Sequence, residues 1–192
     1  MREELLITCE HACGEVPEGM DLGISAAVLA SHVSFDRGAL AIADRLAALT
    51  GAPCHRGRYS RLVVDLNRRE ENADVIAEVT YGVEVPGNRG LDPEAREARI
   101  ARWHRPYRRA ARDDAMRIAA RAHCVHLSIH AFDPTLAPEA RDFDAGVLFD
   151  TERTPEREIA ARIASLLGDA GWDTRHNEPY AGVPEGLTSW LR

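Results

Sequence analysis

The sequence feature that most constrains the fold is the alternation of short apolar runs with longer helical patterns. Residues 5–9 and 124–129 are apolar runs typical of buried strands, and further strand candidates lie at 53–57, 62–66 and 146–149. Between them lie amphipathic helical patterns, at about 36–50, 92–122 and 154–167. The apolar face predicted to be buried includes Ile42 and Leu49 in the first pattern and Leu166 in the third. Strands that alternate with helices predict an α/β protein with a largely parallel sheet, whose strand ends meet along one edge.

Length and charge limit the classes of function. At 192 residues the chain is expected to form a single domain, residues 1–192. Its 24 basic and 31 acidic residues give a net charge of -7, which argues against nucleic-acid binding, so any basic patch must be local. No apolar run is long enough for a membrane span and the N-terminus lacks a secretion signal, which predicts a cytoplasmic protein. A homo-oligomer is left open.

The four cysteines show no spacing of a disulfide framework. In a reducing compartment they are expected to be free thiols that pack as small apolar residues. They are Cys9, Cys13, Cys54 and Cys124.

The stretch Arg58-Tyr-Ser-Arg-Leu-Val-Val-Asp-Leu-Asn-Arg68 is the densest group of candidate binding residues. Arginine carries a planar fork of donors that fits a carboxylate, and asparagine adds a donor and an acceptor. Arg61, Asn67 and Arg68 are therefore candidates for holding an acidic small molecule. The alternative is a solvated strand end.

Two histidines and one acid are placed where a metal ligand would be. His11 and His130 each follow a predicted strand, and Asp36 falls in the first turn of a predicted helix. Two imidazoles and one carboxylate, with a position left for water, suit catalytic zinc or another divalent metal. Glu15 is the rival carboxylate. Structural histidines and a helix-stabilising acid are the alternatives.

A sulfur-rich structural metal site is a weaker alternative for the same region, since Cys9 and Cys13 bracket His11. Only two thiols are close to that histidine in the sequence. We therefore expect His11 to bind metal with other partners.

A proline interrupts the predicted helix 92–122. Because Pro106 lacks an N–H group and clashes with the preceding turn, the helix must kink or restart there. Trp103, His104 and Tyr107 lie at this interruption, where they either shape a pocket or pack in the core. The preceding residues 69–92 read as a long loop, from which Tyr81, Asn88 and Arg89 could line or cover a pocket.

Six sequence blocks together resemble the N-formylglutamate amidohydrolase (deformylase) family over nearly the whole chain. The blocks are Cys9-Glu-His-Ala; His32 with Asp36-Arg-Gly-Ala; Tyr59-Ser-Arg with Asp65-Leu-Asn-Arg; His104 with Pro106-Tyr107; Ser128-Ile-His-Ala-Phe-Asp-Pro134; and Asn177-Glu-Pro-Tyr-Ala-Gly182.

The resemblance implies a three-layer phosphorylase/hydrolase-like α/β fold, similar to zinc exopeptidases and amidases, and hydrolysis of an N-acyl, typically formyl, amide of an acidic amino acid. It favours Asp36 over Glu15. The implied roles are zinc or another divalent metal on His11, Asp36 and His130; substrate binding by Arg61, Asn67, Arg68, Tyr107, Asn177 and Tyr180; and catalysis by Glu178 and His104.

One departure from the family pattern concerns the general base. Family members usually continue past a segment similar to Gly186-Leu-Thr-Ser-Trp to a last strand that carries a glutamate, and this chain is expected to lack that segment. Glu178 is the candidate substitute. Two alternatives follow: an amidase for another N-acyl amino acid or a cell-wall amide, and a relative that binds an acidic metabolite without turnover.

Overall fold

The computed structural model describes residues 2–134, 142–181 and 186–192. The chain divides into two compact units. The first comprises Met1–Phe132 with Gly186–Arg192, and the second comprises Asp133–Glu185.

Seven strands and six α-helices lie in the described ranges. The strands are β1 Glu3–Cys9, β2 Cys54–Arg56, β3 Val79–Thr80, β4 Val83–Glu84, β5 His123–Ser128, β6 Ala145–Val147 and β7 Thr174–His176. The helices are α1 Ala26–Leu29, α2 Ala39–Thr50, α3 Pro93–Arg99, α4 Arg105–Ala119, α5 Thr154–Asp169 and α6 Leu187–Leu191. Single turns of 3₁₀-helix lie at Ala73–Ile76 and Pro86–Asn88, and a π-helical turn lies at Ile100–His104.

The first unit is built on a parallel sheet of three strands in the order β2-β1-β5. At its centre Ile7 is opposite Cys54 on one side and Leu127 on the other. Because all three strands run the same way, their carboxyl ends lie on one edge. The prediction of a mixed α/β chain with a parallel sheet is confirmed.

Helices cover both faces of this sheet. Ile7 packs with Ala39 and Ala43 of α2, whereas its neighbour Leu6 packs with Ile118 of α4. Successive residues of a strand point to opposite faces. Helix α2 therefore lies against one face and helix α4 against the other.

The prediction of a strand at 62–66 is wrong, although the segment is buried. The backbone N–H of Val63 donates to the carbonyl of Ser60 over 3.0 Å, and that of Leu62 donates to the Ser60 hydroxyl over 3.1 Å, so the chain turns. The Leu62 carbonyl accepts from the side chain of Asn88 over 2.8 Å. The backbone groups of this buried apolar run are thus hydrogen-bonded by Ser60 and by the Asn88 side chain rather than by neighbouring strands.

Two details predicted for the first long helix are also wrong. Asp36 is not in its first turn, because α2 is capped by Gly38 in a left-handed conformation (φ 87°) and Asp36 precedes that cap. Ile42 and Leu49, predicted on the buried face, are 54% and 64% exposed.

The predicted interruption at Pro106 takes the form of a π-helical turn. The Arg105 N–H donates to the carbonyl of Ile100, five residues earlier, and α4 then continues with proline in its first turn. A wider turn relieves the clash between the proline ring and the preceding backbone. The loop predicted at 69–92 contains two 3₁₀ turns and the two-stranded β3–β4 hairpin.

The described part of the second unit contains a parallel β6–β7 pair and helix α5. The prediction that Leu166 of this helix faces the core is wrong, since it is 70% exposed. The four cysteines are free thiols, as predicted. Of the helices in the described ranges, none is long and apolar enough to cross a membrane.

Candidate metal centre

Three side chains from separate segments meet at the carboxyl edge of the parallel sheet. His11 follows β1, His130 follows β5 and Asp36 precedes α2. Each offers one ligand atom, and these atoms lie within 4.8 Å of one another. Asp36 Oδ2 is 2.8 Å from His130 Nδ1 and 3.5 Å from His11 Nδ1. The structure therefore brings together the three residues predicted as metal ligands, and we call them the His–Asp–His cluster.

Backbone hydrogen bonds hold Asp36 between the two histidines. Its own N–H donates to the His11 carbonyl over 2.9 Å. Its Oδ2 accepts from the backbone N–H of Ala131 over 3.3 Å. These contacts tie the segment before α2 to the ends of β1 and β5, so the carboxylate position is fixed by the sheet.

A second carboxylate binds the far nitrogen of each histidine. His11 Nε2 donates to Asp65 Oδ1 over 2.7 Å, and His130 Nε2 is 3.0 Å from Glu10 Oε2. A carboxylate on one ring nitrogen fixes the tautomer and orientation of the ring, so Nδ1 of each histidine faces Asp36. Glu10 also accepts a hydrogen bond from the Ser128 hydroxyl over 2.7 Å.

These contacts shift the pKa of the carboxyl groups at the site. Burial raises the pKa of the Glu10 carboxyl, but hydrogen bonds from His130, Thr8 and Ser128 outweigh it and lower the pKa to about 2. Burial also raises the pKa of Asp36 and Asp65, but hydrogen bonds and positive charges from the histidines and Arg61 outweigh it, so the pKa of both carboxyls is lowered.

His130 shows the opposite shift. Burial lowers its pKa, but the hydrogen bonds and negative charges of Asp36 and Glu10 raise it to about 10. The surroundings of this imidazole therefore stabilise a positive charge.

The cluster fits a divalent cation on two observations. His11 Nδ1 is buried and has no hydrogen-bond partner among the described residues, so its lone pair is available to a ligand. Three buried carboxylates, on Glu10, Asp36 and Asp65, surround the two histidines, with Arg61 as a cation beside Asp36. Nitrogen and oxygen ligands with excess negative charge suit zinc and similar metals.

The predicted substrate-binding residues of the 58–68 stretch lie beside this cluster. The Arg61 guanidinium pairs with Asp36, and its buried Nε has no partner among the described residues. Arg68 Nε is 3.4 Å from Asp65 Oδ2, and its side chain is 43% exposed. Asn67 Oδ1 accepts from the backbone N–H of Leu187 over 2.8 Å, which leaves its amide NH₂ as the donor.

His104 and Tyr107 contact backbone carbonyls. His104 is buried and its Nε2 donates to the Arg68 carbonyl over 2.8 Å. Burial lowers the pKa of His104 and raises the pKa of Tyr107, whose hydroxyl donates to the His55 carbonyl over 3.1 Å. One helical turn after His104, Arg108 donates to the carbonyls of Leu66 and Asn67, each over 3.1 Å.

The remaining predicted site residues belong to the second unit. The Asn177 side chain accepts from the backbone N–H of Phe149 over 2.9 Å, and Asn177 adopts a left-handed φ of 54°. Tyr180 is 46% exposed. The roles predicted for Asn177, Glu178 and Tyr180 stay predictions.

Sequence reasoning missed the two orienting carboxylates, Glu10 and Asp65. The available signal was an acid beside a histidine at a strand end and an acid in the Asp-Leu-Asn-Arg block. The rival ligand Glu15 is exposed. Asn88, predicted to line a pocket, is instead buried and donates to the carbonyls of Leu62 and Ala77, each over 2.8 Å.

The fold and the cluster define an α/β protein with a candidate metal site at the carboxyl edge of a parallel sheet. The sequence matches the N-formylglutamate amidohydrolase family over residues 3–190. The chain therefore belongs to this family of hydrolases, as its sequence blocks predicted.

Comparison with solved structures gives a similar chain, the crystal structure of gene product Atu2144 from Agrobacterium tumefaciens. It is 33% identical in sequence with a TM-score of 0.83, and the match covers 93% of this chain and 70% of that chain. No curated protein matches the sequence.

Proposed function

We propose that this protein is a metal-dependent amidohydrolase that cleaves the N-formyl amide of an acidic amino acid, such as N-formylglutamate, to formate and the free amino acid. The observation that carries the proposal is the meeting of His11, Asp36 and His130 within 4.8 Å in a chain of this family. The three-layer phosphorylase/hydrolase-like arrangement is part of the proposal, supported by helices on both faces of the parallel sheet.

His11, Asp36 and His130 would hold zinc or another divalent metal. When bound, such a metal polarises an acyl oxygen and lowers the pKa of bound water toward about 7. Asp65 and Glu10 keep the ring nitrogens of the two histidines directed at the site through bonds of 2.7 and 3.0 Å.

Substrate recognition would come from the arginines beside the cluster. Arg61 has a buried Nε donor without a described partner, Arg68 is partly exposed, and the Asn67 amide group retains two donor hydrogens. Together they offer donors for the carboxylates of an acidic substrate. Tyr107, Asn177 and Tyr180 remain proposed pocket residues.

Two residues are candidates for proton transfer. Glu178 is proposed as general base on sequence grounds. His104 is buried and bound to the Arg68 carbonyl over 2.8 Å, which supports a role in holding the substrate-binding segment beside its proposed catalytic role.

The test is release of formate from N-formylglutamate by purified protein, before and after treatment with a chelator. We expect release that is lost with the chelator and restored by zinc or another divalent metal. A matched substrate, N-formylglutamine, removes one carboxylate and should react at least tenfold more slowly, because an Arg–carboxylate contact is lost. Hydrolysis of other N-acyl amino acids alone would favour another amidase, and binding without release would favour a non-catalytic relative.

A further inference from the structure

Two cavities lie in the first unit outside the His–Asp–His cluster. One, of about 650 Å³, is lined by Pro17, Glu18, Gly19, Met20, Tyr59, Arg102 and Trp103. The other, of about 360 Å³, is lined by Arg56, Arg58, Tyr59, Val64, Leu66, Arg102, Trp103 and Tyr107. They share Tyr59, Arg102 and Trp103, and neither lining includes a metal-cluster residue or its carboxylate partners. Both volumes lie in the range of about 300–1,000 Å³ typical of small-molecule sites.

Aromatic rings and guanidinium groups form the shared wall of these cavities. Tyr59 and Trp103 meet edge to face with ring centroids 5.9 Å apart. The Arg58 guanidinium lies 5.4 Å from the Tyr59 ring centre, and that of Arg102 lies 5.1 Å from the Trp103 ring centre. We call these four residues the arginine–aromatic wall.

The charge of the wall is not balanced within the described part of the chain. Arg56 pairs with Asp44 at 2.5 Å, but Arg58 and Arg102 have no carboxylate partner among the described residues. The smaller cavity has no acidic lining residue, and the larger one has only Glu18. In a protein of net charge -7, this is a local positive site that attracts anions.

The backbone at the wall also departs from regular α-helix geometry. Arg102 and Trp103 lie in the π-helical turn Ile100–His104. Such turns are rare and occur often at functional sites, because they redirect side chains at the cost of regular helix geometry. On the other side, the thiol of Cys13 donates to the Arg58 carbonyl over 2.8 Å, which fixes the backbone there.

We propose that the arginine–aromatic wall binds an anion that carries a planar aromatic ring. The ring would stack or pack edge-on against Tyr59 and Trp103, while the anionic group would pair with Arg58 and Arg102. Val64 and Leu66 supply apolar surface at the base of the smaller cavity. The smaller cavity shares Tyr107 with the residues proposed for substrate binding, but it includes no metal-cluster residue, and the proposal does not depend on hydrolysis.

The test is calorimetric titration of the full-length protein with 2-naphthoate, with 2-naphthyl phosphate to distinguish a carboxylate from a phosphate source. We expect saturable binding of at least one, with a Kd on the order of 0.1–1 mM. The neutral analogue 2-naphthalenemethanol should bind at least tenfold more weakly. Arg58→Ala and Arg102→Ala should each weaken binding about tenfold.

Arg112→Ala is the matched control, because Arg112 also lies over a tryptophan ring, that of Trp190 at 5.9 Å, but lines neither cavity. It should leave the affinity unchanged. The His130→Ala variant should bind the probe as the wild type does, whatever its hydrolytic activity. The proposal is overturned if neither anion binds saturably, if the neutral analogue binds equally well, if both arginine variants keep full affinity, or if binding is lost in His130→Ala.

Discussion

The His–Asp–His cluster and the arginine–aromatic wall differ in how their charged side chains are buried and paired. In the cluster, Asp36 is 2% exposed and lies beside three histidines, His11, His32 and His130, as well as Arg61, so its position is fixed by neighbours before any ligand arrives. In the wall, the Arg58 and Arg102 side chains are exposed and rest on aromatic rings. A buried charge is stabilised only when neighbouring groups pair with it, whereas an exposed cation stays hydrated while its side chain packs on an apolar or aromatic surface.

The largest expected effect is at the cluster itself. His130→Ala or Asp36→Ala removes one of three ligand atoms and should lower kcat/KM for N-formylglutamate at least a thousandfold, since the metal-activated water is lost. The check is formate release with saturating zinc. Cys13→Ala is the control, because a sulfur-rich site would lose metal and activity in that variant instead. Activity that survives in both cluster variants would contradict the account.

The orienting carboxylates should show a smaller effect. Asp65→Asn and Glu10→Gln keep the side-chain shape but weaken the bond to the histidine ring, so metal affinity should fall about 10–100-fold. Competition with a chromogenic chelator measures this affinity. Asp44→Asn is the control, because Asp44 is an exposed acid that pairs with Arg56. Unchanged affinity in both orienting variants would remove their proposed role.

Arg108 holds the 65–68 segment, so its removal should lower the free energy of unfolding. Arg108→Ala leaves the carbonyls of Leu66 and Asn67 without their donor and opens space in a buried site, so the free energy of unfolding should fall by about 2–4 kcal/mol. Urea denaturation measures this change in the free energy of unfolding. Arg112→Ala is the control, because the guanidinium groups of Arg108 and Arg112 both lie over the Trp190 ring, and it should change stability little. An equal loss in both variants would exclude the two carbonyl contacts as the source of the effect.

His126 of β5 should make the free energy of unfolding depend on pH. His126 is hydrogen-bonded to Thr8 and Thr188, and burial lowers its pKa from 6.5 to about 4. The folded state therefore binds this proton less readily than the unfolded state. The free energy of unfolding should fall by about 1–3 kcal/mol as the pH decreases from 6.5 to 4. In His126→Gln this part of the pH dependence should disappear, and an unchanged slope would exclude His126 as its source.

The smallest effect is expected at the wall. Because Arg102 is exposed and has no described carboxylate partner, Arg102→Ala should shift the Tm by less than about 2 °C. Calorimetric melting of this variant beside Arg108→Ala compares the two regions directly. A shift as large as that of Arg108→Ala would mean that Arg102 belongs to the folded core.

The sequence predicted the strand ends of the cluster because apolar runs and polar termini are local signals. Residues 5–9 and 124–129 became β1 and β5, and the parallel sheet then brought His11 and His130 to one edge. The same reasoning failed at 62–66, since the bond from the Asn88 side chain to the Leu62 carbonyl joins residues 26 apart. A local sequence pattern does not indicate hydrogen bonds between backbone groups and side chains that are distant in sequence.

The sequence placed Glu10 and Asp65 in motifs of the site, but it did not indicate which histidine each carboxylate orients. Asp65 is 54 residues from His11 in sequence, and Glu10 reaches His130 only because β1 and β5 are paired. The π-helical turn was foreseeable as an interruption at Pro106 but not as a turn that presents Arg102 and Trp103 to a cavity.

Metal stoichiometry tests the central claim most directly. Elemental analysis of protein purified with zinc should find about one ion per wild-type chain. The same analysis should find close to none in His11→Ala, Asp36→Ala and His130→Ala, with full retention in Cys13→Ala. A full equivalent of metal in all three cluster variants would contradict the account.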